Sequence, residues 1–182
     1  HFHAAYDDRH NLIELKGSRI EIDLHNQVVG LSYDNRGNQL KEGFRYNEKN
    51  QLIEAAGKVY VYDNYGRRIS KDRVCYLYLG FEEIGSFENG EYKTLKIPGI
   101  GGPVSIEIDG KPYAPVIDAQ GIIRKLIDPA TNSVYQELNS GVFAEGINET
   151  IPYAYRGKRY DPETGLIYFG LRFYDPLQHR WL

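Results

Sequence analysis

The sequence predicts an all-β chain built as an antiparallel ribbon of hairpins, and three observations carry that expectation. Few windows place apolar residues at the i, i+3, i+4, i+7 spacing of an amphipathic helix without an intervening Gly or Pro. Runs of strand length bounded by Asn, Asp and Gly recur along the whole chain. The composition leans the same way: among 182 residues there are 16 Tyr, which favour half-buried strands, and 19 Gly, which supply turns.

The first eighty residues are organised by a repeat. Tyr33-Asp34-Asn35-Arg36-Gly37-Asn38-Gln39-Leu40 recurs as Tyr62-Asp63-Asn64-Tyr65-Gly66-Arg67-Arg68-Ile69. A third copy begins at Tyr6-Asp7 and carries His10 where the others carry Gly. Two worn copies, Tyr46-Asn47-Glu48-Lys49-Asn50-Gln51-Leu52 and Ile22-Asp23-Leu24-His25-Asn26-Gln27-Val28, align one residue shorter. Copies follow one another at about 11 to 16 residues, which is one strand pair per unit and too short for a helical repeat.

Each unit has a physical reading. The aromatic ends a strand and packs on the sheet, and Asp or Asn turns the chain by bonding backbone amides further on. Gly takes the positive φ that other residues resist. The next strand opens with a polar residue and an aliphatic one. At His10 and Asn50 the missing Gly predicts a different or strained turn, and the strands of Tyr33, Tyr46, Tyr62 and Tyr78 are expected to lie side by side.

Residues 81–150 continue as hairpins. Asn89-Gly90, the preferred pair of a type I′ turn, joins Phe81–Phe87 to Glu91–Leu95. Asp109-Gly110 joins Val104–Ile108 to Lys111–Val116 in the same way. Gly99-Ile100-Gly101-Gly102 lacks the Gly-Lys-Ser/Thr ending of a phosphate loop and reads as a hairpin connection. The expected segments are thus repeat hairpins at 1–80, further hairpins at 81–150 and a closing segment at 151–182.

Charge and composition exclude several classes. A net charge of −3 gives no concentrated basic field for nucleic acid. No run approaches the roughly 18 apolar residues of a membrane helix. The single cysteine, Cys75, excludes a disulfide framework and reads as a small buried hydrophobe in a strand. His1 and His3 are too few for a metal site, His10, His25 and His179 are scattered, and no cofactor is expected. Asn148-Glu149-Thr150 fits a glycosylation sequon. There is no methionine, at position 1 included, which predicts a piece of a longer protein.

The repeat Tyr-Asp-x-x-Gly resembles the YD repeat of the RHS family. The match extends through Asp118-x-x-Gly121-x-x-Arg124 and is densest in the last thirty residues. There Arg156-Gly157, Tyr160-Asp161-Pro162, Gly165, Tyr168, Arg172, Tyr174-Asp175-Pro176 and Arg180-Trp181 resemble the RHS-associated core. The resemblance implies a β-ribbon forming part of a spiral shell, with a closing or plug segment from Tyr160 to Leu182. It implies a secreted or cell-surface protein whose shell encloses a C-terminal effector, commonly a toxin. The remaining shell, the effector, and immunity or delivery proteins are the implied partners, and open sheet edges add self-association.

The resemblance also implies an aspartyl self-cleaving element whose downstream half lies beyond Leu182. Asp161 and Asp175 are the carboxylates in these residues that such an element could use. Both precede proline, so a turn role is the simpler reading. Arg156, Arg159, Arg172 and Arg180 could pair with them and hold them ionised. The expected function is therefore structural, with a carbohydrate- or cell-surface-binding repeat module as the alternative and an active protease as a third class.

Overall fold

The computed structural model describes residues 3–141, 144, 146, 152–153 and 155–182. His1 and the sequon at 148–150 fall outside them. The described residues contain no helix and form three antiparallel sheets. The first joins β1 (Ala4–Tyr6), β2 (Leu12–Leu15) and β3 (Ser18–Arg19).

The second sheet has eleven strands, each hydrogen-bonded to its neighbours in the sequence, and is not closed into a barrel. It runs through β4 (Arg45–Tyr46), β5 (Leu52–Ala55), β6 (Lys58–Tyr62), β7 (Arg68–Lys71) and β8 (Val74–Leu79). It continues through β9 (Glu82–Glu88), β10 (Glu91–Gly99), β11 (Gly102–Ile108), β12 (Lys111–Ile117), β13 (Ile123–Asp128) and β14 (Ser133–Glu137). The last sheet contains β15 (Arg159–Asp161), β16 (Leu166–Tyr168), β17 (Phe173–Asp175) and β18 (Arg180–Trp181).

Two kinds of turn build the ribbon. Lys16-Gly17, Ala56-Gly57, Asn89-Gly90 and Asp109-Gly110 are two-residue connections with both φ values positive. That is the geometry whose twist matches the flanking strands. Both hairpins read from the sequence are present with their expected turns, Glu88 facing Glu91 and Ile108 facing Lys111.

The other turn is the repeat itself. Asp7, Asp23, Asp34, Asn47, Asp63 and Asp118 each open the same five-residue loop. In every copy Oδ1 accepts the backbone N–H groups two and four residues on; for Asp34 these are Arg36 at 2.8 Å and Asn38 at 2.9 Å. The fourth residue takes a positive φ, 83° at Gly37 and 82° at Gly66. His10 (63°), Asn26 (62°) and Asn50 (59°) adopt the same conformation. The expectation of a different turn at His10 and Asn50 is therefore corrected. Asn and His are among the residues that enter the left-handed region most readily, and the loop keeps its form.

Counting from the loop corrects a second expectation. The worn copies are not shorter; the residue five places after the Asx is the inward one in each. That residue is Leu12, Val28, Leu52 and Ile123 in four copies, but Gln39 and Arg68 in two, both of which are buried. Leu40 and Ile69, the aliphatic residues that hydropathy aligns there, are the more exposed neighbours.

The tyrosines also sit differently from the expectation. Tyr46, Tyr62 and Tyr78 occupy β4, β6 and β8, each pair separated by one strand. Tyr33 makes an isolated bridge with Gln39 outside that sheet. The hydroxyls of three of them reach the inward residue of the preceding loop, while that of Tyr46 is buried with no partner among the described residues. Tyr62 donates to the Leu52 carbonyl at 2.7 Å, Tyr78 to the Arg68 carbonyl at 2.9 Å, and Tyr33 accepts the Val28 N–H at 3.2 Å. Tyr6, in the first copy, is more than half exposed. Cys75 is half-buried.

The last sheet packs on the long one. Leu166, Tyr168 and Phe173 share a cluster with Leu52, Ala55 and Tyr60, while Ile167 faces the opposite side with Tyr160, Phe169 and Tyr174. All three residues of β16 are buried, as expected of a strand covered on both faces. A separate cluster of Ile106, Tyr113, Ile123, Leu126, Leu138 and Tyr153 holds the far half of the ribbon.

The ribbon also contains a close approach. A Cβ at Gly85 would lie 2.5 Å from the Thr94 carbonyl oxygen and 3.4 Å from the Leu95 Cα, in the β9–β10 ladder. Backbone cannot yield there as a flexible side chain can. Gly85→Ala is expected to destabilise the chain by about 1–3 kcal/mol. Gly80→Ala, with open space around its Cβ but φ at 62°, isolates the cost of conformation alone. Urea midpoints of the two variants make the comparison, and an unchanged Gly85→Ala midpoint would refute the clash.

Candidate functional site

The chemistry-bearing side chains gather where β15–β18 meet the long sheet. Arg68 has been carried inward by its loop position and is fully buried. Its guanidinium lies within about 5 Å of the Tyr60, Tyr76, Tyr168 and Phe173 ring centroids, a cation enclosed by aromatic faces. Both terminal nitrogens donate to the Asp161 carboxylate, Nη2 at 3.2 Å and Nη1 closer. Lys71 Nζ donates at 3.0 Å to Asp161 Oδ1, the oxygen that also accepts Arg68 Nη2, and pairs with Glu163 at 2.7 Å.

Asp161 is itself fully buried. Burial pushes its carboxyl up, but Arg68 and Lys71 outweigh that and hold it below the ordinary carboxylate value. Burial likewise works against the charge on Arg68, and Asp161 reverses it.

A second charged group lies beside the first. Arg159 donates to Glu83 at 2.7 Å through Nε, and to Thr94 and Tyr153 through Nη2 at 3.0 and 3.1 Å. Its charge sits over the Tyr76 and Tyr153 rings, so Tyr76 separates two buried guanidinium groups. Lys96 and Lys158 both donate to Glu82, at 2.6 and 2.5 Å, and Lys96 also donates to the Gly157 carbonyl at 2.5 Å. Burial lowers the Lys96 ammonium below its ordinary value despite Glu82.

The residues singled out in the sequence divide among several roles. Asp161 belongs to the buried charge seam. Asp175 instead accepts the N–H groups of Leu177 and Gln178 at 2.9 and 3.1 Å, in the turn that Pro176 shapes. The two residues lie on β15 and β17, either side of β16, so their backbones are about 10 Å apart at strand spacing. An acid pair sharing one proton has to touch, whereas among the described residues Asp161 bonds to Arg68 and Lys71 and Asp175 to its own turn.

The four arginines expected to hold these carboxylates bond elsewhere among the described residues. Arg159 goes to Glu83, and Arg156 and Arg172 lie over the Tyr155 and Trp181 rings. Arg180 faces Asp175 in the β17–β18 register, yet donates to the Asn26 carbonyl and Asn11 Oδ1. Gly157 follows Arg156 in a turn where both φ values are positive, and Gly165 closes the β15–β16 turn by donating to the Asp161 carbonyl at 2.8 Å. Pro162 lies in that turn, Tyr160 in β15, and Tyr174 and Trp181 in ring contact on β17 and β18.

Sequence reasoning misses the partners that hold Asp161 because Arg68 aligns as the polar residue that opens a strand. The signal that finds it is the count from the Asx residue, which places it with Leu12 and Leu52. Glu83, Lys96 and Thr94 carry no such signal, being polar residues in otherwise ordinary strands.

These carboxylates give the fold a pH dependence with a definite sign. Bonds from Asn38 hold Asp34 low, and Asp161 is held low by Arg68 and Lys71 against burial. The unfolded chain binds more protons at such groups. Their stabilisation is therefore full above 3.8, the ordinary value, and is lost as the pH falls below it toward the folded values. The urea midpoint is expected to drop between about pH 5 and about pH 3, and less so in Asp161→Asn relative to its own pH 5 value. A midpoint flat across that window would contradict the assignment.

No family model matches the chain, and no curated protein matches it. Solved structures do. Against a Tc holotoxin pore of Photorhabdus luminescens carrying a TccC3 mutation, the TM-score is 0.70 at 18% identity, covering 99% of this chain and 12% of that one. A TcdB2-TccC3-TEV structure gives 0.68 at 17% identity, with the same coverage of each chain. TcdB2-TccC3 without its hypervariable C-terminal region gives 0.59 at 14%. The chain thus spans 12% of the length of each of these structures. At such identities the likeness is one of fold, and that fold is the RHS-like, all-β architecture which the repeats and the closing segment resemble.

Proposed function

We propose that the chain is part of the wall and closing end of an RHS-type shell in a secreted toxin complex. On this reading, residues 1–80 and 81–150 are successive stretches of wall. Residues 151–182 cap them and present a C-terminal effector for self-cleavage and release. The observation that carries the reading is the strict sequence order of the eleven-stranded sheet. Such a sheet grows by adding hairpins at its two ends, β4 and β14, as a repeat wall would. The likeness to toxin-complex structures over the whole chain supports it.

The partners on this reading are the remaining shell, the effector, and proteins of delivery or immunity. The same sheet ends would let isolated copies associate. The test is intact mass and limited proteolysis of the parent protein with its full C-terminal region. Two fragments, with the cut downstream of Leu182 and the smaller one protected from protease until the shell is opened, are expected. A single chain would refute release by self-cleavage, and a C-terminal region digested at once would refute enclosure.

A further inference from the structure

A small polar pocket lies where the closing segment meets the turn end of the β10–β11 hairpin. It encloses about 240 Å³, and Glu82, Lys96, Pro98, Pro103 and Arg156 are among its walls. Pro98 and Pro103 stand opposite each other in the β10–β11 register. A Cβ at Gly157 would lie 2.8 Å from the Pro103 Cδ, so glycine there lets the closing segment come up against the hairpin. Arg156 is fixed from its other side, where its backbone N–H donates to the Gly121 carbonyl at 2.6 Å.

Positive charge exceeds negative around this pocket. Lys96 and Lys158 share one acid, Glu82, and each donates to a different oxygen of it, at 2.6 and 2.5 Å. The neighbouring acids are spent elsewhere. Glu83 is held by Arg159, and Asp118, which opens the loop that Arg156 packs against, is held by Arg124. Arg156 is exposed, lies over the Tyr155 ring at 5.6 Å, and has no carboxylate partner among the described residues. Lys96 is the reverse case, a cation almost wholly buried. Two of its three donors go to Glu82 and to the Gly157 carbonyl. Its ammonium is held below the ordinary value despite Glu82, the sign expected where burial meets too little negative charge.

We propose that this pocket binds a phosphate group, either the free ion or a terminal monoester. Lys96, Lys158 and Arg156 set against Glu82 alone leave two positive charges, the complement of a dianion. Arg156 brings a planar fork of donors suited to two phosphate oxygens, and Lys96 a point charge at the base of the pocket. Each Glu82 oxygen already carries an ammonium, which reduces its repulsion of an entering anion. The site uses neither Asp161 nor the rings of the closing sheet, and it stands independently of the shell reading.

The chain is titrated by calorimetry with inorganic phosphate, phenyl phosphate and acetate at about pH 7.5, where phosphate is mostly a dianion, and at constant ionic strength. Thermal midpoints of the same samples register any binding that releases no heat. One or both phosphates are expected to bind with a dissociation constant of about 1 mM or below, at least tenfold more tightly than acetate. Tighter binding of the ester assigns the site to a monoester, and tighter binding of inorganic phosphate assigns it to the free ion. Arg156→Gln is expected to weaken that binding about tenfold or more. Arg73→Gln removes the same charge from an exposed position at the other end of β8 from Glu82, and is expected to leave it unchanged. Phosphate binding weaker than about 1 mM, equal binding of acetate, an Arg156→Gln chain that binds as the parent does, or an equal loss in both variants would each overturn the proposal.

Discussion

Asp161→Ala is expected to lower the unfolding free energy by about 3–5 kcal/mol, because it leaves the Arg68 charge in the interior with no anion beside it. The effect belongs to breaking the pair and does not measure what the pair contributes. Two charges taken out of water give back much of their attraction as desolvation. The double variant Arg68→Met, Asp161→Leu is accordingly expected within about 2 kcal/mol of the parent chain. Lys71 keeps an acid in that background, since Glu163 lies 2.7 Å from its nitrogen. Urea unfolding of Arg68→Met, Asp161→Leu and the double variant closes the cycle. An Asp161→Ala chain within about 1 kcal/mol of the parent would mean that the seam is solvated and the ion pair is not a closed one.

The second large effect is at Tyr168, the residue that ties the closing sheet to the ribbon's backbone. Its hydroxyl accepts the Arg68 N–H at 2.8 Å and lies within bonding distance of the Gly66 and Gly170 carbonyls. Burial holds the phenol up to about 12, so it stays a donor through the physiological range. Tyr168→Phe keeps the ring contacts with Phe173 and strands a buried amide, at a cost of about 1–3 kcal/mol. Tyr168→Ala also opens a cavity under Arg68 and is expected to cost about 3–5 kcal/mol. Amide exchange at Arg68 separates the two contributions: both variants expose that N–H, and only the second loosens the Leu52–Phe173 cluster around it. Equal midpoints for Tyr168→Phe and the parent chain would remove the bond from the account.

What was legible in the sequence was local. Asn89-Gly90 can be read as a hairpin because the twist of a two-residue turn depends on those two residues alone. Asp34 and Asp63 can be read as loop openers because their acceptor amides lie two and four residues on. Arg68 could not be read in this way. Its partner Asp161 is 93 residues distant, and the aliphatic Ile69 beside it draws any hydropathy alignment one place out of register. Asp161 was singled out as a carboxylate, but its neighbours were sought among nearby arginines of the closing segment. The long sheet supplied the cations instead.

The five-residue loop has a consequence for how such a chain can change over generations. Each loop satisfies its own amides with the side chain that opens it, drawing on no donor or acceptor from the next copy for its basic form. Duplicating or losing one loop with its strand pair would therefore strand no hydrogen bond within the turn. Inheritance can lengthen or shorten the ribbon in whole hairpins without breaking a turn. The positions closed to drift are the few, such as Arg68, where a copy has been recruited to hold something other than its neighbours.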